Sequence, residues 1–187
     1  RLQGDWSSDV CSSDLMNDRV LVTGGGGFIG SHLVHALLLR GRKVTVLDNF
    51  STGKRQNLAG MHGDLEVVEG SVSVAADVAR AMRSVSAVAH LAALPSVPRS
   101  IERPLDSHEA CATGAVQVLF AAQQNGARVV YAGSSSAYGD QDGQWKHEAM
   151  REDPLSPYAA AKLAGELYCR SFARVYRLDR KSTRLNS

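Results

Sequence analysis

The chain has 187 residues, of which 44% are hydrophobic and 21% charged, and its formal net charge is +2 at pH 7. Charge this balanced gives no nucleic-acid or membrane-surface footprint, and no apolar run approaches the roughly 18 residues that a membrane-spanning helix needs. Cys11 falls in an atypical N-terminal stretch, while Cys111 and Cys169 make neither a disulfide framework nor a metal-ligand spacing, so no metal is expected and a reducing cytoplasm is the natural setting.

The first stretch, "RLQGDWSSDVCSSDL" (1–15), is Ser/Asp-rich, follows neither hydrophobic period and lacks the basic start and apolar run of a signal peptide; it reads as a non-native tail. Patterning begins at Met16. "RVLVTG" is a continuous apolar run, as expected of a strand buried on both faces. "FIGSHLVHALLLRG" follows with Ile29, Leu33, Ala36, Leu37 and Arg40 at helical spacing and Gly41 as a C-cap. "KVTVLD" and "LEVVEG" predict the second and third strands, "VAADVARAMRSV" a helix and "AVAHLAA" a fourth strand. A single long helix is expected from Pro104 to Asn125, closed by Gly126, then a fifth strand in "RVVYAGSS" and a last helix from about Ser156 to Tyr176. "LDRKSTRLNS" (178–187) abandons the amphipathic pattern and reads as a second non-native tail, which places one domain at 16–177. The alternation of strands and helices predicts an α/β fold with a doubly wound parallel sheet.

Gly24, Gly27 and Gly30 stand in a G-x-x-G-x-x-G pattern between the first strand and the first helix. Without side chains the backbone can turn tightly and bring the amides of the helix N-terminus against a pyrophosphate. Asp48 closes the second strand 18 residues after Gly30. An acidic side chain there accepts the hydroxyls of a ribose and repels the extra phosphate of NADP, so NAD is favoured; Lys54 and Arg55 nearby soften that preference.

"SPYAAAK" places Tyr158 and Lys162 four residues apart on one helix face, after Pro157. A tyrosine is a poor base at neutral pH, its ordinary pKa being about 10, and a nearby ammonium together with a positive nicotinamide ring lowers it toward the working range. The alternative is that Lys162, Glu166 and Arg170 form a solvated ladder and Tyr158 merely packs. "GSSSAYG" follows the fifth strand, so Ser134, Ser135 and Ser136 emerge at the carboxyl edge of the sheet, where they either cap a turn or meet a ligand hydroxyl.

Taken in order, "TGGGGFIG", "LDNFSTG", "HLAA", "SVPRSIERP", "GSSSAYGD" and "SPYAAAK" resemble the extended short-chain dehydrogenase/reductase family, in its NAD-dependent nucleotide-sugar epimerase and dehydratase branch. The resemblance runs from Met16 to about Tyr176 and implies a Rossmann-type domain that stops before the smaller substrate domain of that family. It implies NAD as cofactor, held by Gly24, Gly27, Phe28, Ile29, Gly30, Asp48, Asn49, Leu91, Ala92, Ala93, Tyr158 and Lys162. It also implies Ser134, Tyr158 and Lys162 as catalytic residues, Ser96, Ser134, Ser135 and Tyr158 against a nucleotide-sugar substrate, and a homodimer through the two long helices. Sugar 4,6-dehydratases of this branch carry an Asp-Glu pair directly after the catalytic Ser or Thr, and decarboxylases keep a Glu. Ser135 and Ser136 occupy those positions here, so the motifs are most like those of UDP-hexose 4-epimerases. The chain departs from the family at Ser71, where an acidic residue usually meets the adenine, and at Cys111, usually Asn. Another redox member of the branch and a non-catalytic dinucleotide-binding protein are the rival readings.

Overall fold

The structure is a computed structural model that describes residues 19–141 and 145–176, and the backbone of 180–185. Its strands are β1 (Arg19–Thr23), β2 (Lys43–Asp48), β3 (Leu65–Glu69), β4 (Val85–His90), β5 (Arg128–Ser134) and β6 (Arg180–Leu185). They form one parallel sheet in the order β3-β2-β1-β4-β5-β6. The chain leaves β1 toward β2 and β3, then returns to place β4 on the other side of β1. That reversal opens a crevice above the carboxyl ends of β1 and β4, the place where doubly wound sheets bind ligands.

The helices are α1 (Phe28–Leu39), α2 (Ala75–Ala81), α3 (Val97–Glu102), α4 (Pro104–His108), α5 (Gly114–Gln124) and α6 (Pro157–Tyr176). Alternation within the central strands assigns side chains to two cores. Val20 and Val22 of β1 join Val44 and Val46 of β2 under α1, packing on Val34 and Leu38. Leu21 and Leu47 point the other way, into a core with Val78, Met82, Val118, Leu119 and Tyr131. Full burial of each such aliphatic side chain stabilises the fold by about 1.5–3 kcal/mol.

Four features differ from the sequence expectation. The buried stripe of α1 is Gly30, Ser31, Val34 and Leu38. Ile29 and Phe28 instead stand exposed at the crevice, because the helix begins at the turn and its first residues overhang it. The helix expected from Pro104 to Asn125 contains a π-helical turn, Glu109–Thr113, between α4 and α5. "SVPRSIE" forms α3, with Ser96 as its N-cap accepting the Arg99 amide at 3.2 Å. The sheet also continues past the expected boundary at 177, since β6 pairs with β5 from Val129↔Arg180 to Ser134↔Leu185. A parallel edge recruits backbone whatever its side-chain pattern, so a polar segment satisfies β5. Residues 1–18, which include the expected N-terminal tail, lie outside the described residues.

Candidate active site

Gly24 adopts φ +73° at the end of β1, and its amide donates to Leu47 O at 2.9 Å, which ties the turn to β2. A Cβ on Gly24 would lie 2.8 Å from the Ala92 amide nitrogen, so the loop after β4 lies directly on the glycine turn. Gly27 N donates back to Gly24 O at 3.1 Å. Gly27 is the N-cap of α1 and offers no side-chain cap. The first amides of α1 therefore face the crevice with no intrahelical acceptor, an arrangement that suits an anion.

Asp48 is buried, and its carboxylate accepts the amides of Gly26 and Phe50, both at 2.8 Å. It is thus a strut between the end of β2 and the glycine turn. Arg55 is committed to a salt bridge with Glu69 and stacks 4.2 Å from the Phe50 ring centroid.

The crevice is a cavity of about 360 Å³. All twelve residues expected to hold the cofactor line it: Gly24, Gly27, Phe28, Ile29 and Gly30 from the turn, Asp48 and Asn49 after β2, Leu91, Ala92 and Ala93 after β4, and Tyr158 and Lys162 from α6. Ser71, the position that meets the adenine in the family, also lines it, and Ser51, Gly70, Val72, Leu94, Pro95, Ala132 and Gly133, absent from the sequence expectation, complete much of the wall. Apart from Ala132 and Gly133 on β5, they come from loops whose approach depends on the crossing of strands, so no local pattern marks them.

Lys162 reaches the cavity through tight packing of α6 on β5. Ala159, Ala161 and Gly165 are the small residues on the buried side of the helix, and a Cβ on Gly165 would lie 2.4 Å from the Tyr131 hydroxyl. That hydroxyl donates to Lys162 O at 3.0 Å, and the Lys162 ammonium lies 4.3 Å from the centroid of the same ring. Lys162 is 3% exposed, and burial pulls its pKa down to about 8. Glu166 is buried too, paired with Arg170 at 2.7 Å, while Arg170 also meets Glu152 at 3.1 Å. A solvated Lys-Glu-Arg ladder is therefore excluded.

Tyr158 is half-buried, and burial raises its phenol above the ordinary tyrosine value, while a hydrogen bond with Ser134 opposes the rise and Cys111 adds to it. The Lys162 ammonium, lying over the Tyr131 face, is not among the groups that shift this phenol, so the lowering expected from the ammonium together with the nicotinamide ring is left to the bound state. Ser134 also bonds Ser136, Oγ to Oγ, at 2.7 Å. Tyr158 and Lys162 thus line the β5 end of the crevice, with Ser134 hydrogen-bonded to Tyr158. Ser135 is buried in the short turn Ser135–Tyr138, and of the residues expected against the substrate Tyr158 lines the cavity while Ser96, Ser134 and Ser135 do not.

Beneath the floor, His90 Nδ1 and Thr23 Oγ1 lie 2.7 Å apart across the β1–β4 pair, and Thr23 Oγ1 accepts the Ala92 amide at 3.2 Å. This pair fixes the loop after β4, a role the sequence did not reveal. His90 is 1% exposed, and burial, with a smaller push from the Lys162 charge, lowers its pKa to about 3. Its folded pKa lies below the ordinary value of about 6.5, so the unfolded chain binds the proton first. Stability is full above about pH 6.5 and falls with acid toward pH 3, by up to ~1.4 kcal/mol per unit. Urea midpoints measured from pH 7 to 4 are expected to fall steeply for the unaltered chain and less steeply for His90→Asn.

The family model for the NAD-dependent epimerase/dehydratase family matches residues 20–187. A UDP-glucose 4-epimerase of Mycolicibacterium smegmatis is 38% identical over 167 residues, covering 86% of this chain and 53% of that protein. The structure of Thermus thermophilus UDP-glucose 4-epimerase with NAD superimposes with a TM-score of 0.82 at 39% identity, over 89% of this chain and 54% of that one. DesIV, a dTDP-glucose 4,6-dehydratase from Streptomyces venezuelae solved with NAD, gives 0.83 at 38% identity, over 89% and 55%. The chain spans about half the length of these relatives. Sheet order, glycine turn and crevice agree with a match that covers nearly all of the described residues, and the chain belongs to the NAD-dependent epimerase/dehydratase family.

Proposed function

We propose that this chain carries the redox centre of a nucleotide-sugar 4-epimerase, with a UDP-hexose as substrate. The observation that carries the reading is the composition of the β5 end of the crevice. Tyr158, hydrogen-bonded to Ser134, and Lys162 line that end, and among the described residues lining the cavity the one carboxylate is Asp48, at the far end. Elimination of water needs an acid and a base beside the sugar; removal and return of hydrogen at one carbon needs a single base. Ser135 and Ser136, where dehydratases carry carboxylates, support the simpler chemistry.

The glycine turn suits a pyrophosphate, and Asp48 suits an unphosphorylated ribose, which favours NAD over NADP. When bound, NAD supplies a reversible hydride acceptor at the sugar carbon. Tyr158, as phenolate, takes the proton of the 4-hydroxyl and later returns it. Ser134 hydrogen-bonds the same oxygen and holds the phenol in line. Lys162, which lines the same end of the cavity, would hold the nicotinamide ribose and supply a positive charge there. The burial that raises the Tyr158 phenol also concentrates the effect of any positive charge brought into the crevice.

A homodimer through α4, α5 and α6 is consistent with the exposed apolar side chains Leu105, Phe120, Leu167 and Tyr168 on these helices. Among the described residues no helix is long and apolar enough to cross a membrane, in keeping with a cytoplasmic enzyme. A dehydrogenase or reductase of the same family is separated by redox balance. In a protein carrying this chain at the length of its relatives, UDP-glucose is expected to be converted without net change in NADH absorbance. NADH appearing in step with product would replace the epimerase with a dehydrogenase.

A further inference from the structure

We propose that Glu109 acts through two serines to make the purine end of the crevice selective for a 6-amino purine over a 6-oxo purine; this rests on the NAD reading. The crevice runs from Lys162 and Tyr158 past the glycine turn to Asp48 and then to Ser71 and Val72. A dinucleotide with its ribose at Asp48 places its purine beyond, at Ser71. A second cavity of about 510 Å³ shares Asn49, Ser51, Ser71 and Ala110 with the first and continues to Ser73 and Glu109. Ser71 is therefore the wall between the crevice and Glu109.

The hydrogen bonds there have one consistent polarity. Glu109 Oε1 accepts the Ser73 hydroxyl at 2.9 Å, because a carboxylate can only accept. With its proton so used, Ser73 Oγ takes the Ser71 hydroxyl at 2.9 Å. Ser71 Oγ receives the Ser73 amide at 3.3 Å, and its own amide is held by Asp77 Oδ2 at 2.9 Å. Ser71 Oγ is left with its proton pointing away from the crevice and a lone pair for an incoming donor. The carboxylate reaches this position on the π-helical turn, the kind of irregularity that re-aims side chains near functional sites. A 6-amino group donates to that lone pair; a 6-oxo group meets it as a second acceptor.

The test compares dissociation constants for NAD and nicotinamide hypoxanthine dinucleotide, by calorimetry, for the unaltered protein, Glu109→Gln and Ser71→Ala. The unaltered protein is expected to prefer NAD about tenfold, the effect of one mispaired hydrogen bond. Glu109→Gln can donate to Ser73 and reverse the relay, and it should cut the preference below about threefold with NAD still bound. Ser71→Ala removes the acceptor and should do the same, which decides the matter if the Gln variant fails to fold. Equal binding of the two dinucleotides by the unaltered protein, or a preference unchanged in both variants, overturns the proposal. Failure of the unaltered protein to bind either dinucleotide instead overturns the NAD reading beneath it.

Discussion

Tyr158→Phe is expected to lower kcat for epimerisation by about 10²- to 10⁴-fold while leaving the dissociation constant for NAD within about threefold of the unaltered value. On the proposed reading the phenol takes the proton of a sugar hydroxyl, and Phe keeps the ring that packs against the cluster of Cys111, Ala112 and Ala161. Loss of the hydroxyl also removes the partner of Ser134, which still has Ser136 at 2.7 Å, so the turn after β5 should hold its shape. Stopped reactions with UDP-glucose, run beside a direct NAD titration, separate the two effects. A variant that loses NAD binding and activity together would make Tyr158 a packing residue and remove it from the chemistry.

Gly30→Ala is the second large effect and acts on the fold before the chemistry. A Cβ at position 30 would lie 2.1 Å from Gly24 O and 2.8 Å from Gly25 Cα, and both are backbone atoms that cannot rotate aside. The helix must then move off the turn, which is expected to destabilise the protein by about 3 kcal/mol or more and abolish NAD binding. Gly41→Ala is the control. Gly41 has φ +69° but open space around the added atom, so only the backbone conformation resists, at about 1 kcal/mol. Urea midpoints for the two variants test the contrast, and equal losses would show that the close approach at Gly30 is unimportant.

The buried strands were legible because parallel strands covered on both faces read as unbroken apolar runs, as in "RVLVT" and "KVTVLD". The glycine turn was legible because the residues themselves state the requirement for close approach. What escaped was tertiary. Thr23 and His90 are polar residues at the ends of apolar strands, and only the β1–β4 register brings them together. Tyr131 looked like an ordinary strand aromatic until Gly165 let α6 approach it, which put the Lys162 ammonium on its ring. The spacing of Tyr158 and Lys162 on one helix was legible, but not that the Lys162 ammonium lies over the Tyr131 ring. The π-helical turn leaves no signal in a periodicity of 3.6, and β6 none in an apolar pattern.

The most direct test of the central claim follows the configuration at C4. A protein carrying this chain at the length of its relatives, incubated with UDP-glucose and UDP-N-acetylglucosamine without added reductant, is expected to produce the corresponding galacto epimer of at least one, seen by NMR as the changed H4 couplings. A 4-keto-6-deoxy product, or NAD-bound protein that leaves both sugars unchanged at C4, would contradict the 4-epimerase account.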